Sequence, residues 1–200
     1  LVPGGFVTRR LARDRHPIVD WIADTHQRTT FTTSVCTGAL LLGAAGILDG
    51  LDATTHWCTY DELASYGARP TEQRVVRQGK IWTAAGVSAG IDLALALVAE
   101  LDSPEMAQAV QLGIEYDPQP PFDAGSPSKA DPAIVDLVRA FSDAQVDPAD
   151  VAMGGRVQMT FRRLFTADGI HNDFWKARPV RGGATTGDAT ATSTTSVTEA

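Results

Sequence analysis

Two cysteines, four histidines and a serine in a glycine-rich turn are the side chains whose types and settings suggest covalent or acid–base chemistry. Cys36 closes the apolar run Phe31-Thr32-Thr33-Ser34-Val35, which reads as a short buried strand. Cys36-Thr37-Gly38 then forms a tight turn, and Ala39-Leu40-Leu41-Leu42-Gly43-Ala44-Ala45 begins a helix of small and aliphatic residues. A thiol on such a junction meets the unpaired N–H groups and macrodipole of a helix start, which favour the thiolate. Nucleophile elbows use the same geometry to present a reactive atom above a parallel sheet. A buried structural cysteine fits the local pattern equally well, since Cys is among the most often buried residue types. Thr37 adds a hydroxyl beside the thiol. Gly4 and Gly5 end a neighbouring strand, where their N–H groups are expected to help form an anion pocket. His56, after Thr55, reads as a base or orienting group, or as a satisfied polar loop residue.

A second turn competes for the nucleophile. Gly86-Val87-Ser88-Ala89-Gly90 matches G-x-S-x-G between a strand and a helix. A serine triad also needs a histidine and an acid downstream, and His171 is the one histidine on that side. Close strand–helix packing explains the same glycines. His16 and His26 flank an amphipathic helix and read as surface residues. The histidines and cysteines lack metal-ligand spacing, and no phosphate-binding glycine loop appears, so neither metal nor cofactor is expected.

The bulk numbers bound the alternatives. The chain has 200 residues, 44% of them hydrophobic and 20% charged, which suits one globular domain. The chain, with a net charge of −7, lacks the overall electrostatic signature of a nucleic-acid binder, so nucleic acid is not the expected partner. The longest nearly apolar run, Ala39 to Leu48, is too short for a membrane span. Two cysteines give no disulfide framework, which fits a reducing, cytoplasmic setting.

The elements that must position these groups alternate. A helix starts at Pro17, with an apolar stripe at Ile18, Trp21 and Ile22. The Cys36 strand and its helix follow, the helix ending near Gly46 or Gly50. Asp52 to Trp57 reads as a short strand, and Tyr60 to Tyr66 as a short helix stopped by Gly67. Gln73–Arg77 and Lys80–Ala84 read as a hairpin around Gln78-Gly79, ahead of a buried helix over Ile91–Val98. Ser103-Pro104-Glu105 caps the next helix, which runs to about Tyr116. An irregular Pro/Gly-rich arm covers Asp117 to Asp131, and a last helix spans Ala133 to Ala144. This order predicts an α/β three-layer α/β/α sandwich. Residues 1–145 form its domain, 146–181 an irregular basic extension, and 182–200 a disordered Thr/Ala/Ser/Gly-rich tail.

Four segments carry a resemblance. Leu1-Val2-Pro3-Gly4-Gly5, Ser34-Val35-Cys36-Thr37-Gly38, Ala53-Thr54-Thr55-His56-Trp57 and Thr83-Ala84-Ala85-Gly86-Val87-Ser88-Ala89-Gly90-Ile91-Asp92 resemble the DJ-1/PfpI superfamily. The arm Tyr116-Asp117-Pro118-Gln119-Pro120-Pro121-Phe122-Asp123-Ala124-Gly125-Ser126-Pro127 resembles its isonitrile hydratase branch. The resemblance runs from residue 1 to about 140. It implies a flavodoxin-like fold, a homodimer, a small-molecule substrate, Cys36 as nucleophile, assistance from Thr37, and an acidic residue from the first strand. It makes the Gly86–Gly90 stretch a structural turn. The implied reaction is thiolate addition to an isocyanide, a thioimidate, then water displacing the thiol to leave an N-substituted formamide. Against that pattern the chain reads as N-terminally incomplete, lacking roughly 60 residues, about two β-α units. Peptidase members typically carry His after the nucleophile, where this chain has Thr37. Asp147–Val151 with Met159–Phe165 faintly resembles an AraC-type helix-turn-helix, which makes a ligand-sensing regulator domain the alternative.

Overall fold

The computed structural model describes residues 1–143, 157–167 and 170–179. The chain divides into two compact units, Leu1–Pro148 and Ala149–Ala200. The first contains helices α1 (Thr8–Arg13) and α2 (Pro17–His26), strand β1 (Thr32–Val35) and helix α3 (Gly38–Ala44). Strand β2 (Asp52–Ala53), helix α4 (Tyr60–Ser65) and strand β3 (Arg69–Pro70) follow. The hairpin β4 (Val75–Gln78) and β5 (Ile81–Ala84) leads into α5 (Val87–Leu101), α6 (Pro104–Gly113) and α7 (Pro132–Asp143).

The central sheet has the order β1-β5-β4. β1 and β5 run parallel, with Thr32 opposite Ile81, and β4 pairs antiparallel to β5 across a turn at Gly79, where φ is +57°. Val2 bridges the other side of β1, donating to the Thr33 carbonyl at 2.8 Å and accepting from the Val35 N–H at 3.1 Å. Period-two alternation then divides the core. Ile81 packs against a buried cluster that includes Leu40 and Leu42 of α3, Leu48 of the turn after it and Leu63 of α4, all 0% exposed. Its neighbour Trp82 faces the other way, against Ala89 and Leu93 of α5. Burying each such leucine is worth about 1.5–3 kcal/mol. Helices therefore cover both faces of a parallel-rich sheet, the flavodoxin-like α/β sandwich expected. No helix among the described residues is long and apolar enough to cross a membrane.

Several local expectations change. The sequence reading missed α1, because Thr8-Arg9-Arg10-Leu11-Ala12-Arg13 is short, basic and has no capping side chain. It is held instead by burying Thr8 and Ala12. Trp21 points outward from α2, which buries Val19 and Ile22. The strand expected over Asp52–Trp57 stops after Ala53. There the Thr54 N–H turns to the Thr83 hydroxyl at 2.9 Å, and a 3-10 turn begins at Trp57. In the second unit the extension expected to be irregular contains β6 (Val157–Ala167) and β7 (Ile170–Pro179), paired antiparallel with a register shift between Arg163 and Phe165. Its β-branched and aromatic residues favour that state. The tail at 182–200 lies outside the described residues.

Candidate active site

β1 ends in an elbow. Cys36 has φ of +57°, a left-handed conformation uncommon for a residue with a side chain and worth about 1–3 kcal/mol of strain. Neighbours fix it there. The Cys36 N–H donates to the Ala84 carbonyl at 3.0 Å, continuing the β1–β5 ladder, and its carbonyl accepts from the Thr55 hydroxyl at 3.0 Å. The segment after Val2 lies hard against this elbow. A Cβ at Gly4 would stand 2.7 Å from the Cys36 Cβ and 3.1 Å from its Sγ, and one at Gly38 would collide with the Val2 carbonyl. Glycine at both positions is what permits the approach.

The half-buried Cys36 opens on a cavity of about 290 Å³, lined also by Gly5, Thr37 and His56. Three of the expected residues thus meet the thiol in one place, while Gly4 braces it from behind. Phe6, Val87 and Val138 add an apolar wall, and Arg9 enters from α1. Val138 belongs to α7, so the last helix of the first unit helps close the cavity.

The Gly5 N–H donates to the Thr37 Oγ1 at 3.0 Å, a partner not expected from the sequence. The buried Thr8 hydroxyl lies 2.7 Å from both the Thr37 Oγ1 and the Gly5 carbonyl, and the Thr37 hydroxyl lies 3.2 Å from that carbonyl. Thr8 was not legible as a site residue, because nothing in the sequence marks α1 as a helix.

His56 begins the 3-10 turn Trp57–Thr59, its Nδ1 accepting from the Cys58 N–H at 3.4 Å, and its ring stacks on Trp57 at 5.8 Å between centroids. Burial first, and then the Arg9 charge, pushes its pKa below the usual histidine range. With Nδ1 as acceptor, the neutral ring carries its proton on Nε2. Arg9 is itself paired with Glu62, its Nε donating to Oε1 at 2.6 Å.

The second glycine-rich turn holds no triad among the described residues. Ser88 is exposed near the start of α5 and accepts from the Arg74 Nη2 at 3.3 Å. Gly90 lets α5 sit on β1, since a Cβ there would be 2.9 Å from a Val35 methyl. Asp92, two residues beyond this turn, accepts from Arg74 at 2.6 Å and from the Tyr116 hydroxyl at 2.7 Å, anchoring the start of the arm to α5. Of the two histidines read as surface, His16 is exposed and caps α2, accepting from the Ile18 N–H at 3.2 Å. His26 is half-buried, its Nδ1 2.7 Å from the Thr32 hydroxyl; burial and then Lys80 lower its pKa.

The chain is 49% identical over 138 residues to the isonitrile hydratase of Pseudomonas putida, a match covering 69% of this chain and 60% of that protein. It is 34% identical over 95 residues to the HTH-type transcriptional regulator CdhR of Pseudomonas aeruginosa, covering 46% of this chain and 28% of the regulator. The crystal structure of a THiJ/PfpI family protein from Pseudomonas syringae aligns with a TM-score of 0.63 at 46% identity, covering 68% of this chain and 57% of that one. The chain thus spans about three-fifths of the curated hydratase. The DJ-1/PfpI family pattern matches residues 1–100, which hold the elbow, the Gly4-Gly5 approach and the Gly86–Gly90 turn, and the protein belongs to the DJ-1/PfpI family.

Proposed function

We propose that this protein works as an isonitrile hydratase-like lyase with Cys36 as nucleophile, on a small-molecule isocyanide. The observation that carries the reading is the strained Cys36 elbow opening beside Thr37 on a cavity with an apolar wall. The 49% identity to a hydratase supports it.

The reaction follows from the chemistry of the terminal carbon. The Cys36 sulfur bonds to that carbon, which also takes a proton, giving a thioimidate S–CH=N–R. Water adds to the same carbon, and the nitrogen takes a proton. The C–S bond then breaks, returning the thiol and releasing HC(=O)–NH–R. Atoms balance with one water consumed and no change of oxidation state across the cycle. Phe6, Val87 and Val138 suit an apolar substituent R. Neutral His56 suits hydrogen-bond donation from Nε2 rather than proton abstraction. Thr37 suits orienting the water. The resemblance adds an acidic residue to manage the protons; among the described residues, those lining the cavity include no carboxylate. A free thiol nucleophile fits a reducing, cytoplasmic compartment, and a homodimer is the assembly the resemblance implies.

The test is formamide production from alkyl and aryl isocyanides, followed by mass spectrometry, together with the intact mass of the protein. Wild type should release formamide and carry an adduct of the isocyanide mass on Cys36, and Cys36→Ser should do neither. Unchanged turnover in Cys36→Ala rules out the thiolate route.

The similarity to CdhR keeps a regulator as the second reading. The Met159–Phe165 segment, whose resemblance would require a helix, lies on strand β6, which favours the enzyme. Salt-sensitive DNA retention in a gel shift would reverse that preference.

A further inference from the structure

The hydratase cycle asks opposite things of one hydroxyl. Thr37 must accept a hydrogen bond from the incoming water, and donate one when charge gathers on the substrate nitrogen. A threonine oxygen has one proton and two lone pairs. In the site the Gly5 N–H takes one lone pair of the Thr37 Oγ1, leaving one lone pair and one proton to dispose of.

Thr8 decides which of these faces the cavity. Its side chain is almost wholly buried, with the residue 4% exposed, and its hydroxyl is 2.7 Å from two acceptors, the Thr37 Oγ1 and the Gly5 carbonyl. In one arrangement Thr8 donates to Thr37, which fills the second lone pair and leaves the Thr37 proton to turn between the Gly5 carbonyl, 3.2 Å away, and the cavity. In the other Thr8 donates to the Gly5 carbonyl while Thr37 donates to Thr8, which turns a free lone pair outward. Rotation of two O–H bonds interconverts them, with heavy atoms unmoved and every buried polar group still paired. Each arrangement keeps the 2.7 Å Thr8–Thr37 contact.

We infer that Thr8, on the proposed hydratase reading, is a positioning residue that lets Thr37 act in turn as hydrogen-bond acceptor and donor. Thr8 is not among the residues lining the cavity, whereas its partners Thr37 and Gly5 are. Valine at position 8 keeps the shape and removes the switch; serine restores it.

The experiment compares wild type, Thr8→Val and Thr8→Ser. Thr8→Val should lower kcat for isocyanide hydration by about 10–100-fold with KM little changed, as expected for a group acting in the proton-transfer steps. Thr8→Ser should recover most of that loss. Thr8→Val with wild-type kcat, or Thr8→Ser as slow as Thr8→Val, overturns the inference. A second readout does not depend on turnover: three-bond NMR couplings reporting the χ1 angle of Thr37. The couplings should show one rotamer in wild type and Thr8→Ser, and movement toward averaging in Thr8→Val. If wild type does not hydrate isocyanides, the hydratase reading fails by itself. The couplings then decide the positioning role, and an unchanged Thr37 rotamer in Thr8→Val refutes it.

Discussion

Replacing Gly4 by alanine probes how tightly the chain before α1 is pressed onto Cys36. The new methyl carbon would sit 2.7 Å from the Cys36 Cβ, 3.1 Å from its Sγ and 3.0 Å from the Thr37 nitrogen. Carbon–carbon contacts settle near 3.5–4.0 Å, so a gap of about 1 Å must open. Cys36 has little room to give way, because its N–H is held by Ala84, its carbonyl by Thr55, and its φ is already left-handed. The Val2–Gly5 segment must lift instead, stretching the Val2 bridges to β1 and the Gly5 bond to Thr37. Overpacking of this kind costs about 1–3 kcal/mol, which lowers Tm by roughly 2–12 °C for a chain of this size. Gly5→Ala is the matched control, since no atom lies within 4 Å of a Cβ there and stability should move by less than about 0.5 kcal/mol. Thermal melts followed by circular dichroism, paired with the rate of Cys36 alkylation by iodoacetamide, read both effects. A Gly4→Ala protein that melts with wild type and alkylates at the same rate refutes the account of the elbow.

Other expectations follow from the same contacts. His56 and His26 are both held below the usual value of 6.5, by burial first and then by Arg9 and Lys80 respectively. The unfolded chain therefore takes up those protons more readily. This part of stability is complete above pH 6.5 and is lost as pH falls from there through the folded values. Melts from pH 8 to 5 should show that decline, and it should flatten in a His26→Gln/His56→Gln double variant; equal slopes in the two proteins contradict it. Arg9→Met removes the lowering charge, so the His56 NMR titration should move up, and an unmoved midpoint argues that Arg9 has no influence. Gly90→Ala should push α5 off Val35 and destabilise by about 1–3 kcal/mol in a denaturant titration. Ser103→Ala removes the hydroxyl that accepts from the Met106 N–H at 3.2 Å, at a cost of about 0.5–2 kcal/mol in the same measurement.

The sheet and most of its helices could be read from the sequence because their signals are local. Gly67 and Gly79 stand at positive φ where the chain was expected to stop or turn, and the Ser103-Pro104 start caps α6 as the residue types demand. The Cys36 elbow was legible for the same reason, a strand, a turn and a helix in one run. What escaped depends on partners distant in the chain. Thr8 matters through Thr37, 29 residues away, and Asp92 through Tyr116, 24 residues away. The bond from the Gly5 N–H to the Thr37 hydroxyl likewise joins residues 32 apart, which no local pattern signals. Trp21 misled because its size suggests burial, while the face of α2 that meets the core is set by Val19 and Ile22.

The left-handed backbone at Cys36 sets stability and reactivity against each other at a single codon. Glycine would adopt that conformation without penalty, so a chain selected only for remaining folded would carry glycine there. Directed evolution toward heat tolerance should therefore find this position early and, on the proposed function, yield sturdier protein with a silent pocket. Screens for thermostable variants need an activity filter at residue 36 above all.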